Sequence, residues 1–123
     1  MARLTIRIDF PGAESIGPGK IRLLEMIQET GSISAAGKSM NMSYRRAWLL
    51  VDALNQEFKD PVVATKLGGK AGGGASLTKL GTELIGHYRE MERLAHAALV
   101  SPIRSIESAL KPQGTMAEAK TTS

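Results

Sequence analysis

The chain contains no cysteine, so disulfides, thiolate zinc sites and cysteine nucleophiles are excluded, a usage compatible with a reducing cytoplasm. It has no apolar run approaching the thickness of a bilayer, and its start, MARLTIRIDF, alternates apolar with charged residues instead of forming the continuous core of a secretion signal. A membrane partner is therefore not expected, and the expected location is cytoplasmic, with the nucleoid. Histidine is nearly absent too. His87 and His96 are nine residues apart, and on one helix they project to opposite sides, so they cannot share a metal. Glu90 and Glu92 diverge in the same way. Neither Gly19-Lys20 nor Gly69-Lys70 has a glycine five residues before the Gly of the pair or a Ser/Thr after the Lys, so the Walker pattern fails at both. No constellation supports an enzyme, a metal site or a cofactor.

What is present is one domain's worth of ordinary globular sequence. At 123 residues, 42% hydrophobic and 23% charged, the chain suits a single core with flanking segments. Its net charge of +4 is modest, but the location of that charge is informative. Between Gly31 and Gly81 stand seven basic residues (Lys38, Arg45, Arg46, Lys59, Lys66, Lys70, Lys79) against three acidic ones (Asp52, Glu57, Asp60), and the remainder is balanced. A basic excess confined to one segment is the electrostatic footprint of a nucleic-acid binder.

That segment opens with GSISAAGKSMNMSYRRAWLLVDALN, two short helices in succession. Ser32 is placed to cap the first, whose apolar residues are Ile33, Ala35, Ala36 and Met40; small Ala36 and Gly37 let a neighbouring helix come close. The turn is Asn41-Met42, and Ser43 caps the second helix. There Ala47, Leu50, Val51, Leu54 and Phe58 recur at helical spacing as the buried face, with Arg45, Leu49, Asp52 and Gln56 opposite. Ser43, Tyr44, Arg45 and Arg46 thus share a first turn, where a recognition helix meets base edges and where free backbone N–H groups favour a phosphate. Trp48 reads as a residue at the edge of the core, and Tyr44 suits either packing or a phosphate contact.

Around this pair the chain is legible in order. Leu4, Ile6, Ile8 and Phe10 alternate with Arg3, Thr5, Arg7 and Asp9, predicting a half-buried strand that Pro11-Gly12 ends. Helices are predicted over Lys20 to Thr30, stopped by Gly31, then Ile33 to Met40 and Tyr44 to Phe58. Val62 to Leu67 and Ala75 to Leu77, joined by GGKAGGG, predict a hairpin whose Lys66 and Lys70 lie near phosphate. Thr78 caps a long fourth helix. Leu77, Leu80, Leu84, His87, Met91, Leu94 and Ala98 follow at alternating steps of three and four, a heptad-type seam that Ile85, Tyr88, Ala95 and Leu99 widen into a second strip. A helix apolar on two adjoining faces needs two partners, here its own domain and the same helix of a second subunit. Leu80, Leu84, His87, Met91, Leu94 and Ala98 are the expected dimer interface. The expected division is a domain over residues 1–100, with its dimerisation helix at 78–100, and a largely disordered extension over 101–123. In that extension Ser101-Pro102 breaks or bends the helix, Ile103, Ile106 and Leu110 suit one more short helical stretch, and Lys111-Pro112 onward reads as a disordered tail.

The stretch GPGKIRLLEMIQETGSISAAGKSMNMSYRRAWLLVDALN, followed by GGKAGGGASLTKLGTELI, closely resembles the N-terminal domain of the molybdate-dependent, ModE-type bacterial transcriptional regulators. The likeness covers Leu4 to Leu99. It implies a mainly α fold with a small β component, a winged helix-turn-helix distantly related to the LysR-type domain. That domain dimerises through its long terminal helix and binds palindromic operators in double-stranded DNA. By position, Ser43, Tyr44, Arg45 and Arg46 match the start of the family's recognition helix, and the glycine loop matches its wing. Full-length members carry further β-barrel modules that bind molybdate or tungstate. With 24 residues after Leu99, the chain is expected to lack that chemistry and to act as a stand-alone, homodimeric DNA-binding regulator. The alternative is a protein-interaction module that has kept the winged fold and lost specific DNA binding.

Overall fold

A computed structural model describes residues 2–66 and 74–112. In chain order it forms α1 (Pro18–Thr30), α2 (Ile33–Ser39), α3 (Tyr44–Glu57), β1 (Val63–Lys66), β2 (Gly74–Leu77) and α4 (Lys79–Ala109). Three helices, an antiparallel hairpin and a long final helix make a winged helix.

Each element starts where local chemistry satisfies its first N–H groups. Pro18 occupies the first position of α1, two residues before the predicted start, where a missing N–H costs nothing. Gly31 closes α1 in the left-handed region at φ 73°, its N–H bonded to the Ile27 carbonyl. The Ser32 hydroxyl accepts from Ala35 N–H at 3.0 Å, that of Ser43 from Arg46 N–H at 3.1 Å, and that of Thr78 from Gly81 N–H at 3.1 Å. All three predicted caps are formed, and each satisfies a donor that the helix itself leaves orphaned.

The core centres on α1, whose Ile21, Leu23, Leu24 and Ile27 are fully buried. This helix touches α2, β2 and α4, which is why its apolar residues occupy more than one side. From α3 come Ala47, Val51 and Leu54, with Leu50 and Phe58 packed at the margin, as the helical spacing predicts. The hairpin pairs Val63 with Leu77 and Lys66 with Gly74. It is held to α3 by the Asn55 side chain, whose Oδ1 accepts from Val62 and Val63 N–H at 2.7 and 3.0 Å while its Nδ2 donates to the Val63 carbonyl at 3.1 Å. Thr78 ties the start of α4 to the same segment by donating to the Pro61 carbonyl at 2.8 Å.

Two expectations are corrected. The alternating segment Leu4 to Phe10 does not form a strand; it makes a single antiparallel bridge, with reciprocal Ile8 and Ile16 hydrogen bonds of 2.8 and 2.9 Å. Leu4, Ile6 and Ile8 are half-buried between exposed Arg3, Thr5 and Arg7, so the period of two is real. Its partner is a helix, which offers no ladder. Tyr88 Oη on α4 donates to the Ile6 carbonyl at 2.6 Å, and Ala2 N–H donates to the Glu107 carboxylate at 2.9 Å. Burial pushes the Tyr88 phenol up, which keeps that donor protonated.

The other correction concerns α4, which does not end at residue 100 but runs through Pro102 to Ala109. Proline removes the N–H that would bond the Ala98 carbonyl. Ala98 is on the exposed side of the helix, and Val100, Ile103 and Glu107 are half-buried against the N-terminal segment. Tertiary packing thereby carries the helix past a residue that ends many isolated ones.

Candidate nucleic-acid interface

Ser43, Arg45 and Arg46 meet in one shallow depression completed by Leu49 and Leu50. Both arginines are exposed, and the first turn of α3 contains no acidic residue. Because the Ser43 hydroxyl is spent on Arg46 N–H, the first-turn N–H groups of Tyr44 and Arg45 are the ones left outward, reinforcing the positive end of the helix dipole. The turn that aims this end of α3 depends on two features. Asn41 takes a left-handed conformation at φ 58°, and Gly37 lets α2 lie against Ala47.

Tyr44 points to the exterior at 56% exposure and packs against Trp48 one turn on. Their rings meet edge to face, with centroids 6.5 Å apart and planes at 82°, and Trp48 Nε1 donates to Tyr44 Oη. The indole is thus satisfied by its neighbour, and the phenol hydroxyl proton remains available to an acceptor outside the protein.

A second depression adjoins the first and shares Arg46 and Leu50 with it. Its other walls are Arg7, Ser15, Gly17, Gly19, Lys20 and Met42, which brings three cations from three separate segments to the start of α1. Lys20 Nζ is positioned by the Ser15 carbonyl at 2.7 Å and by Glu14 at 3.2 Å, and Arg7 pairs with Asp9 at 2.9 Å. Gly17 supplies no side-chain cap, so the N–H groups of Gly19 and Lys20 have no intrahelical acceptor. Arg7 and Lys20 escaped the sequence reading because each sits in an unremarkable local pattern, 39 and 26 positions from Arg46.

Lys66 lies apart from this pair of depressions. It is exposed at the end of β1, beside Gly31, Ala64, Gly74, Ala75 and Ser76. Lys70 and most of the glycine loop lie outside the described residues. Among the described residues no group of three or more His, Asp or Glu is arranged to hold a metal ion, and no helix is long and apolar enough to cross a membrane.

The predicted dimer seam divides in two. Leu80 and Leu84 are half-buried against the core of their own domain. Beyond them His87 and Ala98 are exposed, Met91 is half-buried, and Leu94 is 53% exposed. Leu99 and Ile106 are exposed as well, on a side of α4 well round the helix from Leu94, and Leu110, just past its end, is exposed too. Toward the domain, Arg89 clamps α4 to α1, its Nε and Nη2 donating to the two oxygens of Glu25 at 2.9 and 2.7 Å and its Nη1 to Glu92 at 2.6 Å. This guanidinium holds the Glu25 carboxyl below the usual carboxylate range.

No protein-family model matches the chain. Among curated proteins, it is 42% identical over 95 residues to the molybdenum-pterin-binding protein MopB of Rhodobacter capsulatus, covering 77% of this chain and 34% of MopB. It is 36% identical over 99 residues to the molybdenum transport protein ModE of Azotobacter vinelandii, covering 80% and 36%. Against the DNA-binding transcriptional dual regulator ModE of Escherichia coli K12 it is 38% identical over 81 residues, covering 66% and 31%. The chain therefore spans about a third of the length of the curated relatives it matches. Its fold is also that of the CbnR DBD solved in complex with DNA, with a TM-score of 0.53 at 21% identity, over 75% of this chain and 97% of that one.

Proposed function

This chain is a ModE-type N-terminal winged-helix domain, and from that footing we propose that it binds DNA as the operator-reading part of a transcriptional regulator. The observation that carries this reading is the exposed, acid-free first turn of α3, where Arg45 and Arg46 line one depression with Ser43. Arg45 on the outward face supplies a planar fork for guanine in the major groove, Arg46 and Tyr44 flank it toward the backbone, Lys66 at the end of β1 adds a phosphate contact, and Lys70 is proposed to add another. Arg7 and Lys20 extend the path of positive charge onto α1. The experiment is a binding series for the whole chain on duplexes selected from a random pool and on scrambled duplex, over a range of salt. A selected sequence bound with a steep salt dependence supports the reading, and no salt-sensitive binding to either duplex overturns it.

The site is proposed to be pseudo-palindromic because the domain is proposed to act as a homodimer through α4. Support comes from the large apolar side chains that α4 leaves open, Leu94 at 53% on the heptad side and Leu99 and Ile106 at 39% and 66% on an adjoining one. Two-fold symmetry then spaces the half-site centres about 34 Å apart or a multiple of it.

We further propose that these residues do not themselves bind molybdate. The chain aligns with about a third of MopB, and the alignment falls on a winged helix. Titration calorimetry with molybdate should show no stoichiometric binding, and a submillimolar isotherm would overturn this point.

A second reading has one observation in its favour. Tyr44, Trp48 and Leu49 expose an apolar surface on α3 at 56%, 36% and 55%, which a protein-interaction module would use. The salt series separates the two, since an interaction module has no reason to bind duplex DNA.

A further inference from the structure

Leu49 is 55% exposed in the second turn of α3, although the residues on either side of it in sequence have other uses. Trp48 pairs with Tyr44, and Leu50 packs at the margin of the core. Leu49 contributes nothing to that core. It stands instead in the wall of the depression that holds Ser43, Arg45 and Arg46. An isolated exposed leucine needs no explanation on an ordinary surface. One placed among arginines, on the face proposed to enter the major groove, has a specific chemical consequence.

Leucine has no donor or acceptor, so it cannot read the hydrogen-bonding edge of any base. The one apolar group presented in the major groove is the C5-methyl of thymine. Four residues of helix place Leu49 about 6 Å along the axis from Arg45, roughly two base-pair steps of 3.4 Å. The face closes one turn later at Asp52, which is exposed and whose carboxylate repels phosphate. The contact surface is thereby confined to the first two turns, with Leu49 at its far edge.

We infer that Leu49 is a specificity-determining residue that receives a thymine methyl about two base pairs from the base read by Arg45. Its role rests on the DNA-binding function proposed above. Leucine against the methyl excludes water from both, whereas cytosine or a purine at that step leaves the side chain against a polar edge.

The test uses the whole chain and a duplex selected from a random pool, remade with deoxyuridine in place of thymine one position at a time. Uracil keeps every hydrogen-bonding group of thymine and lacks only the methyl. Wild type should lose about fourfold in affinity at one position in each half-site, the effect of removing one buried methyl. Leu49→Ala should bind the thymine duplex more weakly, fold as wild type does by circular dichroism, and show no uracil penalty at that position. Leu49→Met, which keeps apolar volume, should restore the penalty. Binding by wild type that is indifferent to uracil at every position, or an undiminished penalty in Leu49→Ala, overturns the assignment while leaving DNA binding intact. Absence of salt-sensitive DNA binding by wild type overturns both.

Discussion

Gly37 and Ala47 meet where α2 lies against α3, so closely that a β-carbon on Gly37 would stand 2.9 Å from that of Ala47. Both residues are buried, and no flexible side-chain end is available to move aside. The distance between the two helices, and hence the presentation of Arg45, is set by the absence of one carbon atom.

Gly37→Ala should therefore destabilise the domain although alanine is the better helix former. Overpacking costs typically 1–3 kcal/mol against a propensity gain of about 1 kcal/mol. A net loss centred on about 1 kcal/mol is expected in urea unfolding. Gly86→Ala is the matched control: it lies on the exposed side of α4 with nothing within 4 Å of the added carbon, and should stabilise by roughly 0.5–1 kcal/mol. Equal effects at the two positions would refute the close-packing account.

The two halves of the α4 seam should respond differently to charge. Leu84→Glu places a carboxylate beside the domain's own core and should unfold the chain. Leu94→Glu should leave the fold intact and weaken the proposed dimer, removing about 2 kcal/mol of burial from each subunit, close to a thousandfold in dissociation constant. Sedimentation equilibrium measures this. Wild type that remains monomeric at micromolar concentration and above would be incompatible with the dimer.

Recognition and anchoring should separate by residue. Arg45→Ala should cost about 1–3 kcal/mol on the selected duplex and relax one base preference. Removing Arg7, Lys20 or Lys66 should weaken selected and scrambled DNA alike and lower the log–log salt slope by about one unit each. An unchanged slope in Arg7→Ala and Lys20→Ala would confine the interface to α3 and the hairpin.

Acid should loosen α4 from α1. The Arg89 guanidinium lowers the Glu25 carboxyl below its ordinary value of 4.5 in the folded state. A depressed folded value means that this contribution to stability is complete above the ordinary value and is lost as pH falls through the lower one. Glu25→Gln should therefore reduce stability at neutral pH and flatten the decline below about pH 4.5. Denaturant midpoints measured from pH 3 to pH 7 decide it, and parallel curves for the two proteins would rule the pair out as a contributor.

Much of this domain is legible from sequence because much of it is local. Ser32, Ser43 and Thr78 stand three residues before the N–H groups they cap, so capping is a matter of short-range spacing. The buried face of α3 and the outward placement of Arg45 and Leu49 follow from 3.6-residue periodicity alone. The hairpin was legible from two apolar runs separated by glycines.

What the sequence could not determine involves residues brought together from a distance. The alternation of Leu4 to Ile8 showed which side chains turn inward, but only the presence of α4 as neighbour made the segment an extended strap held by Tyr88, 82 positions from Ile6, and not a strand. The same strap supplies the burial that carries α4 past Pro102, against the local preference of proline. Arg89 finds Glu25 across 64 residues, and Arg7, Lys20 and Arg46 converge from three elements. Local periodicity and capping act over one or two turns and can be read along the chain. Convergence depends on how whole elements dock, and docking is decided by the shape of the shared core.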